Sequence, residues 1–245
     1  MKVLGIIPAR EGSKGIKDKN VAKLNGKPLI YWTIEAARKA KEIDRLIVST
    51  DSLRYRDMLE QFGKDLFPFM RPEKFAKDKS PSSEVIIHAL DKMGELGEKF
   101  DIVVLLEPTS PLRTPEQINE AIQLLKQAPK ARAMVSVIED SNHHPLIAFE
   151  IARSGQLVPY GSLTGATSAE PSYPGHPRRQ ALRPAYFMSG DIYLSYVDTY
   201  RERLSFNHEL TAAYRAESWQ SDEIDEPADL IRVEAILKAR QEGRL

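Results

Sequence analysis

Apolar runs of strand length alternate with segments of helical period through the first 140 residues, and this alternation most limits the folds open to the chain. Residues 2–8, 45–49, 102–106 and 133–138 read as strands, the third being the most apolar. Residues 28–41, 52–62, 84–96 and the stretch opening at Thr114 read as helices. Pro28 suits a helix start, because the N–H it lacks would have no partner in the first turn. Thr114-Pro115-Glu116-Gln117 supplies an N-cap, a proline at the first helical position and acidic charge in the first turn. The alternation predicts a Rossmann-like α/β domain, a parallel sheet covered on both faces with its ligands at the carboxyl ends of the strands.

The pattern breaks between His143 and Pro184, a stretch rich in Pro, Gly, Ser and Tyr whose strand-like pieces are residues 146–151 and 158–160. So long an irregular stretch reads as a binding lid or a partner-contacting arm. Regular pattern returns at residues 185–196 and 211–216 and closes with a helix over 226–238. The 245 residues, 42% hydrophobic, thus suit one domain carrying an excursion over residues 143–184. Thirty-five basic and thirty-five acidic residues cancel, so no global field attracts nucleic acid or an anionic membrane. The absence of cysteine excludes disulfides, thiolate metal sites and a cysteine nucleophile. No leader-like or membrane-spanning pattern is present, and the chain reads as soluble and cytoplasmic.

The first strand runs into Ile7-Pro8-Ala9-Arg10-Glu11-Gly12-Ser13-Lys14-Gly15, followed by Lys17, Lys19 and Asn20. Gly12 and Gly15 let backbone N–H groups face an anion, and Arg10, Lys14 and Lys19 add full charge. That suits polyphosphate; a basic surface turn is the plainer alternative. Neither G-x-x-x-x-G-K-[ST] nor G-x-G-x-x-G occurs, which argues against a P-loop NTPase and a dinucleotide-binding dehydrogenase. Further clusters follow the strands. In Ser49-Thr50-Asp51-Ser52, Asp51 or Ser52 reads as an N-cap. Glu107-Pro108-Thr109-Ser110-Pro111-Leu112-Arg113 frames two hydroxyls between prolines. His143-His144 point opposite ways on an extended chain, so hydrogen bonding or packing is favoured over metal. Arg178-Arg179-Gln180 is a carboxylate clamp or a solvated turn. Ser221-Asp222-Glu223-Ile224-Asp225-Glu226 gathers four carboxylates, either for a hard divalent cation or as an acidic helix start.

Taken with Lys19-Asn20, Gly26-Lys27-Pro28, Arg71-Pro72, Ser82, Gly190-Asp191-Ile192-Tyr193 and Ile224-Asp225 in this order, these motifs resemble the acylneuraminate cytidylyltransferases over essentially the whole chain. The resemblance implies a three-layer α/β/α nucleotidyltransferase domain. It also implies a homodimer whose arm, here residues 143–184, reaches towards the partner's site. The implied reaction joins CTP to a nine-carbon (nonulosonic) α-keto sugar acid, giving the CMP-sugar and pyrophosphate, with Mg²⁺ required. By position, Ala9, Arg10, Gly12, Ser13, Lys14 and Lys19 fall on the nucleotide side, with Arg10, Lys14 and Lys19 on the triphosphate. Asn20, Arg71 and Ser82 fall at the cytidine. Glu107, Thr109, Ser110, Arg178, Gln180 and Tyr193 fall on the sugar acid. Asp225 falls at the metal or base position, with Glu223 or Asp222 as the second metal ligand.

Three positions depart from that pattern: Glu107 replaces a common Gln, Ser189 replaces an Asn, and Glu223 replaces an Asp. An acceptor at Glu107 favours a sugar bearing amino or differently acylated groups, such as a legionaminic-type acid, over N-acetylneuraminate. Alternatives are a cytidylyltransferase for an eight-carbon acid such as 3-deoxy-manno-octulosonate, one acting on another anionic acceptor, and a catalytically silent nucleotide binder. The Arg178-Arg179-Gln180 arm speaks against the first, Glu107 against the second, and the retention of Arg10, Lys14, Lys19 and Asp225 against the third.

Overall fold

The first apolar run forms β1 (Val3–Pro8), buried along almost its whole length. A loop follows, and then β2 (Lys23–Leu24) and β3 (Lys27–Pro28) pair antiparallel across Asn25-Gly26, both with positive φ. Asn-Gly between paired strands is a hairpin signal that apolar periodicity alone passes over. Next come α1 (Leu29–Lys39), β4 (Arg45–Ser49), α2 (Leu53–Leu59), α3 (Ser82–Glu95), β5 (Ile102–Leu105), α4 (Pro115–Gln127) and β6 (Ala133–Glu139). Beyond them lie β7 (Phe149–Ile151), β8 (Leu157–Pro159), β9 (Tyr186–Tyr196), α5 (Val197–Arg203), β10 (Thr211–Arg215) and α6 (Pro227–Gln241). This computed structural model describes residues 1–13, 15–77, 80–140, 144–160 and 183–245.

Residues 1–137 and 188–245 form one compact unit, and residues 138–187 form a second. The first holds a six-stranded sheet ordered β10-β6-β9-β5-β1-β4. β1 lies parallel to β4 and β5, and β10 lies parallel to β6, as alternation with helices predicts. β9 departs from the expected all-parallel sheet. It pairs antiparallel with β5, placing Tyr193 opposite Leu105. Because β9 runs opposite to β5, its amino-terminal half lies towards the carboxyl end of β5.

On one face of the sheet Leu4, Ile6, Ile47, Val103 and Leu105 pack with Ile86, Leu90 and Met93 of α3 and with Tyr200 of α5. A second cluster joins Leu24, Leu29, Leu112, Ile224, Val233 and Leu237, tying α6 to the hairpin and to the loop after β5. α4 begins with a complete capping box, Thr114 Oγ1 accepting from Gln117 N and Gln117 Oε1 from Thr114 N. Ser52 caps α2 by accepting from Tyr55 N at 3.2 Å, as its position suggested. The helix predicted over 52–62 ends at Leu59 and continues as a 3₁₀ turn, Glu60–Phe62.

In the second unit β7 and β8 form an antiparallel hairpin. His144 is buried there, with Nε2 2.9 Å from Arg183 O, the hydrogen-bonding role favoured for it. His143, Arg178 and Gln180 lie outside the described residues, as does Lys14.

Candidate active site

A cleft of about 520 Å³ opens beyond the carboxyl ends of β1 and β5. The first loop lines it with Arg10, Ser13, Gly15, Lys19 and Asn20. The segment entering α3 contributes Arg71, Phe75, Lys77, Ser80 and Ser82, and the far wall holds Glu107, Pro108, Thr109, Asp225 and Glu226. Residues far apart in sequence meet here because each follows a strand of the sheet or precedes a helix packed on it.

The first loop is braced from both sides. Ala9 N donates to Ser49 O at 2.9 Å, and Asn20 Nδ2 to Arg10 O at 3.0 Å. Arg54 on α2 donates to Glu11 Oε1 and to Asp18 Oδ1, each at 2.6 Å from Nη2, so one guanidinium spans both limbs of the loop. The Glu11 carboxyl is held below its ordinary range by hydrogen bonds from Ser52 and Arg54, and Asp18 by the bond from Arg54. Glu11, Asp18 and Arg54 carry no mark in the sequence, since nothing in their local pattern distinguishes them from solvated charges. Ala9 is fully buried and contributes through its backbone; Gly12, with φ +83°, sits at the loop tip and does not line the cleft.

Arg71 is 5% exposed, and its Nε and Nη2 have no hydrogen-bond partner. Asp51 Oδ1 lies 3.7 Å from Nη2 and also accepts from Glu11 N at 3.2 Å. Burial lowers the pKa of this guanidinium, opposed by Asp51. A buried donor without an acceptor is costly, and its position on the cleft suits a ligand carbonyl or phosphate oxygen. Lys77 adds a cation on the same wall, one that no sequence motif singles out.

The opposite wall is acidic. Ile224 is fully buried beside Leu112, and its N–H donates to Thr109 O at 2.9 Å, carrying Asp225 to the cleft. Asp225 Oδ1 accepts from Lys19 Nζ at 2.8 Å, while its carboxyl is mostly exposed. A Cβ on Gly15 would stand 2.6 Å from Asp225 O, so only glycine lets the first loop pack so closely on this segment. Glu223 lies over Gly190: a Cβ there would collide with its Oε1, and Gly190 has φ +72°. Burial, then the charges of Glu107 and Asp225, push the Glu223 carboxyl up to about 7. Burial also raises Glu107 against the pull of Arg113 and Lys19, and raises Asp191 against that of Arg113. The Tyr193 hydroxyl is pushed up to about 12, by burial first and then by Glu107.

Asp222 turns to α6, accepting from Arg232 Nε at 2.9 Å. Ser110 is fully buried and does not line the cleft, and its hydroxyl has no hydrogen-bond partner. Among the described residues no group of three or more His, Asp or Glu side chains forms a ready metal cage. Glu223 and Asp225 nevertheless crowd like charge beside the cleft, and a magnesium ion commonly takes one or two carboxylates and completes its shell with water and phosphate. Two carboxylates of this kind fit it.

A profile of the family described as cytidylyltransferase matches residues 4–151, which hold every residue lining the cleft except Asp225 and Glu226. The chain belongs to the cytidylyltransferase family. Members similar to it include the CMP-N,N'-diacetyllegionaminic acid synthase of Legionella pneumophila, 33% identical over 99% of both chains. The N-acylneuraminate cytidylyltransferase of Escherichia coli is 32% identical over 93% of this chain, which spans half of that longer enzyme. The fold is shared with a solved CMP:2-keto-3-deoxy-manno-octonic acid synthetase in complex with CTP, at a TM-score of 0.69 and 17% identity, covering 98% of this chain and all of the other. Among the described residues no helix of this family member is long and apolar enough to cross a membrane.

Proposed function

We propose that the protein transfers CMP from CTP to the anomeric hydroxyl of a nonulosonic α-keto sugar acid and releases pyrophosphate. The observation that carries this reading is the two-sided cleft. A cationic wall of Arg10, Lys19, Arg71 and Lys77 faces carboxylates at Glu107, Asp225 and Glu226, with Glu223 near enough to feel the charges of Glu107 and Asp225. Polyphosphate belongs to the first wall and a hydroxylated, acylamino sugar to the second.

Arg10 and Lys19, with Lys14 by its place in the sequence, hold the triphosphate and take up charge growing on the pyrophosphate. Arg71, Asn20 and Ser82 face the cytidine, where Arg71's two unpaired donors suit ring or ribose oxygens. The anomeric oxygen bonds to the α-phosphorus as the bond to the pyrophosphate oxygen breaks, and the hydroxyl proton passes to a carboxylate of the acidic wall. We assign this role to Asp225, whose Oδ1 accepts from Lys19 Nζ. Asp225 and Glu223, rather than Asp222, would hold Mg²⁺, which when bound neutralises phosphate charge and acidifies a neighbouring hydroxyl.

A legionaminic-type acceptor fits best. Glu107 offers only acceptor atoms when ionised, which suits the amide N–H or hydroxyl of such a sugar, and the full-length relative from Legionella bears a matching name. Arg178 and Gln180 would bind the sugar's carboxylate, with residues 143–184 acting as the exchanged arm of a homodimer. We place the reaction in the cytoplasm, where CTP is available.

A pyrophosphate-release assay crossing the four nucleoside triphosphates with N-acetylneuraminate, N,N'-diacetyllegionaminate and 3-deoxy-manno-octulosonate tests the reading. Turnover with CTP and a nine-carbon acid is expected. Turnover only with the eight-carbon acid, or with none, would reject it.

A further inference from the structure

Arg113 closes the Pro-Thr-Ser-Pro-Leu-Arg run yet lies outside the cleft lining, 3% exposed and beneath the acidic wall. Every nitrogen of its guanidinium is engaged. Nη2 donates to Glu107 O at 3.0 Å, Nη1 to Thr33 Oγ1 at 3.4 Å, and Nε to Asp191 O in a short hydrogen bond. Thr33 Oγ1 in turn donates to Glu107 O at 3.4 Å. One side chain therefore ties the loop after β5 to the middle of β9 and to α1. Around it stand Asp191, Glu107, Glu223 and Tyr193, the groups whose charges act most on it, with Asp191 and Glu107 first. A fully buried guanidinium in this setting has two functions at once, a clamp on main chain and a counter-charge for carboxylates that would otherwise lie uncompensated in a poorly solvated place.

We infer that Arg113 is the positioning residue of the acceptor half-site: it fixes the Glu107 loop and keeps the Glu107 carboxylate available as an acceptor for a donor group on the sugar acid. The substrate part of this inference rests on the function proposed above; the coupling between Arg113 and Glu107 does not. Arg113 does not line the cleft, so its loss acts on acceptor binding through Glu107. A backbone clamp alone would be indifferent to a Glu107→Gln substitution, because Arg113 reaches only the main-chain oxygen at that position.

The test is a double-mutant cycle read by urea unfolding at neutral pH on wild type, Arg113→Met, Glu107→Gln and the double variant. Arg113→Met is expected to lower the midpoint strongly, and Glu107→Gln to restore part of the loss by removing the unpaired charge. Additive effects would overturn the inference. Should Arg113→Met fail to fold, recovery of a folded double variant is the expected result, and a double variant that also fails to fold overturns it. Among folded variants, Arg113→Met should raise KM for the acid at least about tenfold while KM for CTP stays within about threefold. Arg113→Lys, which keeps the charge, should recover part of that loss. Equal rises in both KM values would overturn the positioning role. Absence of turnover by wild type with every acid would reject the proposed function instead, and the unfolding cycle would still decide the coupling.

Discussion

Gly190 and Asp225 show how much of the acidic wall depends on single residues. Glu223 occupies the space where any side chain at position 190 would begin, and the backbone there has φ +72°. Gly190→Ala should therefore displace Glu223 and strain the turn, costing about 1–3 kcal/mol of stability, measurable by chemical unfolding. Asp225 is anchored from behind by Ile224 and held in front by Lys19. Asp225→Ala should cut pyrophosphate release on the order of 100-fold or more with little change in melting temperature. Turnover near wild type would remove Asp225 from the mechanism. Both residues stand out in the sequence, one within Gly190-Asp191-Ile192-Tyr193 and the other in the acidic cluster. Glu223's dependence on Gly190 does not, because a contact between positions 33 residues apart leaves no local trace.

At the scale of elements, the first loop owes its shape to α2. Arg54 grips Glu11 and Asp18, and Asp51, just before that helix, accepts from Glu11 N while facing Arg71. Arg54→Ala should raise KM for CTP several-fold while leaving KM for the sugar acid nearly unchanged, a split that steady-state kinetics would show. Unaltered CTP binding would mean that the loop holds its shape without the brace. The strand and helix boundaries around this loop were legible, because burial follows apolar period: β4 spans the residues expected of it, and β1 and β5 differ from their predicted ranges by one residue. α5 and the 3₁₀ ending of α2 were not, being short segments whose form is set by packing more than by propensity; the Asn25-Gly26 hairpin, although written in local turn chemistry, escapes a reading by apolar period.

For the whole molecule, the charge balance conceals a local imbalance with a pH signature. Glu223 titrates near 7 in the folded protein against an ordinary value of 4.5. The folded state thus binds more protons than the unfolded state between those values, and stability from this group, full below pH 4.5, is lost as pH rises towards 7. Glu107 and Asp191, also raised, act in the same direction. Glu223→Gln should gain stability relative to wild type as pH increases from 4.5 to 7 and level off above that. Magnesium, by relieving the same repulsion, should raise the wild-type melting temperature more at about pH 8 than at about pH 5. Equal magnesium shifts at both pH values, or their persistence in Glu223→Gln combined with Asp225→Ala, would place the cation elsewhere.

By itself the sequence determined the alternating α/β plan, the caps of α2 and α4, the order of the motifs and the family they resemble, since each is written in short-range pattern of apolar period, turn chemistry and charge. Tertiary structure alone decided that β9 enters antiparallel to β5, that Asp222 turns away to Arg232 while Glu223 stays by the cleft, and that Arg113 lies under Glu107 as its buried counter-charge. These outcomes depend on which distant segments come to share a small desolvated volume, where a charge's partner and energy are fixed by three-dimensional neighbours rather than by those beside it in the chain.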